Sequence, residues 1–138
     1  MTTGRDFAAL IARILLAVIF IISGYGKIGG FEGTVAAIAS KGVPLPQVAA
    51  AITILVELGG GILLVLGWKT RWVALIFFLW LIPTTLLFHD FWASPPDQDK
   101  AQQINFMKNL AIMGGMLMVY VFGPGRLSID RDARGRET

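Results

Sequence analysis

Three ionisable side chains interrupt segments of this sequence that are otherwise apolar. Arg13, Glu57 and Lys108 each lie in a run of about 20 largely apolar residues, the length that crosses a bilayer. An ionisable residue at bilayer depth costs about 2.5–3.5 kcal/mol on insertion scales and indicates a function by default. At about 1.5 Å per residue, Glu57 falls near mid-membrane, whereas Arg13 and Lys108 lie roughly 6–9 Å from opposite faces. Such groups can bind a polar ligand or carry a proton inside a membrane.

Each of these residues has polar or small neighbours at helical spacing, so that each helix should carry a polar face. We expect the faces to point inward and form a polar cavity that opens toward the outer half of the membrane, with Glu57 neutralised by Lys108 or Arg13. The predicted ligand-binding residues are Lys27, Glu57, His89, Asn105, Lys108 and Asn109. The predicted additional lining residues are Arg13, Thr53, Phe88, Trp92 and Phe106.

Structural explanations compete with this interpretation. The Arg13 side chain can extend to the headgroups at the membrane surface, a behaviour known as snorkelling. His89 and Asp90 can be the solvated end of a helix. A pair formed by Glu57 and Lys108 can serve only to fix the register of two helices.

The composition explains why a membrane is needed. Of the 138 residues, 55% are hydrophobic and 15% are charged, and the mean hydropathy is +0.68. A soluble domain of this size buries only about two-thirds of its unfolded surface and could not hide so many apolar side chains. The net charge of +3 does not form a basic stripe, which argues against nucleic acid. Without cysteine and with a single histidine, His89, the chain has no evident intrinsic cofactor or metal site.

Four apolar segments predict an all-α membrane protein, a bundle of four transmembrane helices. A fifth, short helix should lie at the membrane interface between the first and second spans, because Phe31, Val35, Ile38 and Ala39 recur at helical spacing. Residues 1–130 then form one transmembrane domain and residues 131–138 a basic tail. The predicted spans cover residues 7–28, 47–67, 72–91 and 104–122.

The distribution of lysine and arginine predicts the orientation. Arg5, Lys69, Arg71 and the arginines of residues 126–136 belong to one side, whereas Lys27, Lys41 and Lys100 on the other side are diluted by aspartates. We therefore expect a multi-pass protein of a bacterial inner membrane with both termini in the cytoplasm.

An ordered set of short motifs resembles the DoxX family of small bacterial membrane proteins over about positions 8 to 130. The motifs are Ser23–Lys27, Glu57–Gly61, Leu66–Arg71, Phe88–Trp92, Phe106–Ala111 and Gly123–Asp130. The resemblance implies a four-helix membrane bundle related to the DoxD-type subunits of thiosulfate:quinone oxidoreductase. It also implies a link to oxidative stress and to quinone or catechol responses, but no universal catalytic residue.

Three functional hypotheses follow. The first is a quinone-linked membrane oxidoreductase component that binds a quinone through Lys108, Asn109 and His89, with Glu57 carrying the coupled proton. Electrons would pass through a partner subunit or directly between small molecules. The second is a non-enzymatic scaffold that recruits soluble oxidoreductases through its arginine-rich tail and its loops. The third is a small proton-coupled carrier, which with four spans would need to form a homo-oligomer. Membrane lipid is a partner in all three.

Overall fold

A computed structural model describes residues 2–130, and these residues form helices without any strand. The helices are α1 (Gly4–Gly29), α2 (Phe31–Ser40), α3 (Pro46–Leu66), α4 (Thr70–Phe88) and α5 (Asp99–Phe122). A short 3₁₀ turn, Phe91–Ala93, follows α4. Four helices are long and apolar enough to cross a membrane, and α2 lies between the first two, as the sequence predicts. The predicted tail, 131–138, lies outside the described residues.

The helix ends lie within three residues of the predicted bounds except at the start of α5. That helix begins at Asp99, five residues before the apolar segment at Ile104, because its first turn is polar and hydropathy alone does not detect it. The four long helices alternate in direction. We call the end where α1 and α4 begin the terminal end, and the opposite end, which holds residues 29–46 and 89–98, the loop end.

The bundle consists of two packed helix pairs, α1 with α3 and α4 with α5. Glycines permit the close approach of α1 and α3: a Cβ atom added at Gly24 would lie 2.7 Å from the backbone nitrogen of Leu58, and one at Gly61 would lie 3.3 Å from the carbonyl oxygen of Ala17. Small residues are favoured where transmembrane helices pack, because lipid provides no hydrophobic force to press helices together.

The apolar core that joins the two pairs lies in the terminal half of the bundle. The Phe20 and Phe77 rings lie 4.3 Å apart between centroids, and Gly60 leaves room for the Phe77 ring. Leu64 and Met116 are fully buried beside them. Most other large apolar side chains on the long helices are exposed, which is the expected surface for lipid contact.

Arg13 connects α1 to α3 and to the segment after α5 by hydrogen bonds at the terminal end. Its side chain is 1% exposed and donates hydrogen bonds to the carbonyl oxygens of Leu64 and Val65 in the last turn of α3, at 2.7 and 2.9 Å. It also donates to the carbonyl oxygens of Pro124 and Leu127, after α5. A cation near a helix C-terminus is stabilised by the helix dipole. The snorkelling alternative is therefore wrong, since these carbonyl groups, rather than lipid headgroups, receive the guanidinium.

Asp130 forms hydrogen bonds with the start of α4 at the same end. Its carboxylate accepts hydrogen bonds from the backbone nitrogens of Lys69 and Thr70 and from the Thr70 hydroxyl, at 2.7–2.8 Å. Burial raises the pKa of Asp130, but these hydrogen bonds and the charge of Lys69 outweigh it and leave the pKa below its ordinary value. Asp130 thus caps the first turn of α4 and holds the segment after α5 against the α3–α4 loop.

Candidate ligand cavity

A cavity of about 940 Å³ occupies the loop half of the bundle, where the two helix pairs separate. All five helices contribute to its wall, and α2 covers one side through Gly33, Ala37 and Ile38. Most of the wall is apolar. The polar or ionisable side chains on it are Ser23, Lys27, Thr34, Thr53, Glu57, Trp80, Thr84, His89, Lys108 and Asn109. A mostly apolar space with a few polar groups is typical of a small-molecule site.

The buried carboxylate on this wall pairs with Lys27. Lys27 Nζ lies 2.9 Å from Glu57 Oε2 and 3.0 Å from Oε1, and it also donates to Ser23 Oγ at 2.6 Å. The Lys27 side chain is 28% exposed and that of Glu57 is 9% exposed. The expected neutralisation of Glu57 by Lys108 or Arg13 is wrong, and so is the view that a Glu57–Lys108 pair fixes the helix register.

Helix geometry explains this choice of partner. Helical side chains lean toward the N-terminus of their own helix. Because α1 and α3 run in opposite directions, Lys27 leans toward the membrane centre and Glu57 leans toward the loop end, so the two side chains converge. Lys108 leans toward the loop end, as shown by its 3.3 Å hydrogen bond to Asn105 Oδ1 one turn earlier in α5. Arg13 leans toward the terminal end.

Glu57 lies in a π-helical turn, Leu55–Gly59, within α3. Such a turn inserts an extra residue per turn into an α-helix and is frequent at functional sites. It shifts the side chains after it around the helix axis, so that a regular α-helical wheel cannot place Thr53, Glu57 and Gly61 correctly relative to one another. The hydropathy pattern of this span does not predict the turn.

Two hydrogen bonds connect α4 to α5 beside the cavity. Asn109 Nδ2 donates to Thr85 Oγ1 at 3.0 Å, and Asn109 is buried. His89 Nδ1 lies 2.8 Å from Gln102 Oε1, which fits a hydrogen bond donated by Nδ1–H and leaves Nε2 for another partner. His89 therefore has a partner from another helix and is more than a solvated helix end.

The structure brings most of the predicted residues together. Lys27, Glu57, His89, Lys108 and Asn109 line one cavity, together with Thr53 and Phe88. Four predicted residues lie outside its wall: Arg13, Asn105, Trp92 and Phe106. Arg13 belongs to the terminal end, and Asn105 instead accepts a hydrogen bond from Lys108. The rings of Trp92 and Phe106 pack against each other and against Phe91, at 5.2–5.8 Å between centroids.

Several residues that line the cavity are not among the predicted ones. Ser23 could have been found, because it precedes Lys27 by four residues and shares its helical face. Trp80 and the α2 wall could not, since their contribution depends on how the two helix pairs separate. No group of three or more histidine, cysteine, aspartate or glutamate side chains that could hold a metal ion occurs within residues 2–130.

Comparison with known sequences identifies relatives over most of the chain. The sequence model of a family described as DoxX matches residues 8–90. A protein of Escherichia coli K12 named "Inner membrane protein YphA" is 42% identical over 128 residues, which is 93% of this chain and 91% of that protein. A second E. coli K12 protein, "Inner membrane protein YqjF", is 41% identical over 130 residues, 92% of each chain.

A shorter sequence match is to a protein that is named as an oxidoreductase. "Putative oxidoreductase CatD" of Bacillus subtilis strain 168 is 35% identical over 82 residues, which cover 59% of this chain and 60% of that protein. No solved structure matches the chain.

Proposed function

The chain is a multi-pass inner membrane protein of the DoxX family, and on that premise we propose that it is a quinone-binding component of a membrane oxidoreductase. The observation that carries the proposal is the mostly apolar cavity, which presents Lys27, Glu57, Lys108 and Asn109 on its wall inside the loop half of the bundle. The relative named "Putative oxidoreductase CatD" supports a redox role.

The cavity fits a quinone headgroup in size and chemistry. Ligand pockets commonly have volumes of about 300–1,000 Å³, and this cavity has about 940 Å³. A quinone is a flat ring with two carbonyl oxygens, both of which accept hydrogen bonds. The ammonium group of Lys108 and the amide of Asn109 supply donors, while Phe20, Phe88 and Trp80 supply aromatic surface for the ring.

The residues of this chain would hold and orient the headgroup and keep a proton beside it. A bound quinone would accept two electrons and two protons and so become a quinol. The Glu57 carboxylate, which accepts hydrogen bonds from Lys27 Nζ through both of its oxygens, is the group on the cavity wall that would carry the coupled proton. The electrons would pass through a partner oxidoreductase subunit or directly between small molecules.

We also propose that both termini lie in the cytoplasm. Arg5, Lys69, Arg71 and Arg126 all lie at or beside the terminal end, as the positive-inside rule requires of a cytoplasmic face. The absence of native cysteine allows a direct test. In intact spheroplasts, a membrane-impermeant maleimide should label Asp97→Cys and leave Thr3→Cys unlabelled until the cells are lysed. The reverse pattern would contradict this orientation.

Quinone binding can be measured through Trp80, which lies on the cavity wall. Titration of ubiquinone-1 into the protein in dodecyl maltoside micelles should give saturable quenching of tryptophan fluorescence, and Trp80→Phe should remove most of it. Ala37→Phe should abolish saturable quenching, because Ala37 lines the cavity and a phenyl ring at this position would take up part of its volume.

Ala39→Phe is the matched control, because Ala39 is an exposed residue of the same helix that lies outside the cavity wall. It should bind like the wild type. Quenching that never saturates, or that is equal in both phenylalanine variants, would show that the quinone only partitions into the micelle.

A further inference from the structure

The ionisable groups on the cavity wall do not balance in charge. They are Lys27, Glu57, His89 and Lys108. The Glu57 carboxylate is matched by Lys27 through both of its oxygens. Lys108 belongs to neither of the ion pairs Lys27 with Glu57 and Lys41 with Asp90. With His89 counted as neutral, the wall carries one excess positive charge, on Lys108.

The surroundings of Lys108 do not neutralise that charge. Its ammonium donates to the neutral amide oxygen of Asn105 at 3.3 Å. The next residue, Asn109, also lines the cavity, and its amide is oriented by Thr85. Lys108 is an exposed residue on the cavity wall, so its ammonium is accessible to a ligand. An oxyanion would pair with it, and hydrogen bonds between two charged groups are about twice as strong as those between neutral groups.

We infer that the cavity selects a ligand that carries one negative charge on oxygen, an ionised hydroxyquinone rather than a neutral quinone, with the Lys108 ammonium as its partner. This inference rests on the proposed function and specifies the ligand class of the same site. The phosphate of a lipid headgroup offers the same oxyanion chemistry. It is a second possible partner, because a lysine at this depth can extend toward the membrane surface.

The test compares two probes that share one ring system. The hydroxyl group of 2-hydroxy-1,4-naphthoquinone ionises at neutral pH, whereas its methyl ether, 2-methoxy-1,4-naphthoquinone, cannot ionise. In micelles of the non-ionic detergent dodecyl maltoside, which contains no oxyanion, the wild-type protein should bind the hydroxy compound at least about tenfold more tightly. Quenching of Trp80 fluorescence reports both affinities.

Lys108→Gln should bind the two probes equally, because the amide cannot pair with the anion. Lys100→Gln is the matched control: Lys100 is an exposed residue of the same helix outside the cavity wall, so this variant should keep the preference. Equal binding by the wild type, or a preference that survives in Lys108→Gln, would overturn the inference.

A further experiment, with lipid added to the micelles, distinguishes the two sources of the oxyanion. If phosphatidylglycerol added to the micelles weakens binding of the hydroxy compound in the wild type and not in Lys108→Gln, a headgroup phosphate is also a partner of Lys108. If phosphatidylglycerol weakens binding in neither protein, the partner of Lys108 is the oxyanion of the cavity ligand alone. Binding of the methoxy compound without any preference would overturn this inference and leave the proposed function standing. Absence of binding by either probe would overturn both.

Discussion

Lys27 Nζ lies 2.9 Å from Glu57 Oε2, and this ion pair joins the last turn of α1 to the π-helical turn of α3. It places a carboxylate that is 9% exposed at the wall of a mostly apolar cavity. Lys27 and Glu57 both interrupt apolar spans, and each is the other's partner. The ammonium of Lys27 stabilises the Glu57 carboxylate at the cavity wall.

We expect Lys27→Met to destabilise the protein by about 1–3 kcal/mol, because it leaves the Glu57 carboxylate buried without its partner. The double variant Lys27→Met with Glu57→Leu should recover part of that loss. Denaturant unfolding in micelles, followed by circular dichroism, measures both. Lys41→Met removes the more exposed 3.5 Å pair with Asp90 and should cost less than about 1 kcal/mol. A double variant whose loss equals the sum of the single losses would show that the pair is not coupled.

Arg13→Lys should lower stability by about 3 kcal/mol or more, although it keeps the charge. The guanidinium donates to carbonyl groups of α3 and of the segment after α5 at the same time, and an ammonium cannot reach all of them. The melting temperature in micelles and the yield of folded protein measure the effect. Arg5→Lys, at an exposed position of the same helix, should change neither. A stable Arg13→Lys variant would show that the charge alone suffices.

Asp130→Asn should lower the stability of the protein and make that stability less dependent on pH. Because the pKa of Asp130 is lower in the folded protein than the ordinary value of 3.8, the carboxylate stabilises the fold above that pH, and the contribution is lost as pH falls through the lowered pKa. Melting temperatures between about pH 6 and pH 3 should therefore fall more steeply for the wild type than for Asp130→Asn. Asp97→Asn, in the exposed loop, should follow the wild-type curve.

Two Gly→Ala substitutions should have opposite effects. A Cβ atom at Gly24 would lie 2.7 Å from the backbone nitrogen of Leu58, which cannot move without separating α1 from α3. We expect Gly24→Ala to cost about 1–3 kcal/mol. Nothing lies within 4 Å of a Cβ atom at Gly114 in α5, so Gly114→Ala should be neutral or stabilise the helix by up to about 1 kcal/mol. Denaturant unfolding compares the two, and equal losses would contradict this account of the packing.

The sequence by itself determined the number of helices and which of their residues are polar. Hydropathy is a property of consecutive residues, so a run of about 20 apolar residues predicts a span without any knowledge of its neighbours. The same local pattern located α2 and grouped Lys27, Glu57, Lys108 and Asn109 as unusual residues within the spans. The motif after α5, Gly123–Asp130, was visible in the sequence, but nothing local indicated that it folds back onto Arg13 and Thr70.

Only the tertiary structure decided which polar residues meet. Arg13, Lys27 and Lys108 were equivalent by charge as partners of Glu57, and the outcome depends on helix direction, axial offset and rotation. These quantities are set by contacts between helices, such as Gly24 against Leu58. The π-helical turn further changes the rotation of α3 around Glu57. The cavity itself arises because the two helix pairs are joined by the core at the terminal end and separate at the loop end, a relationship that no single helix encodes.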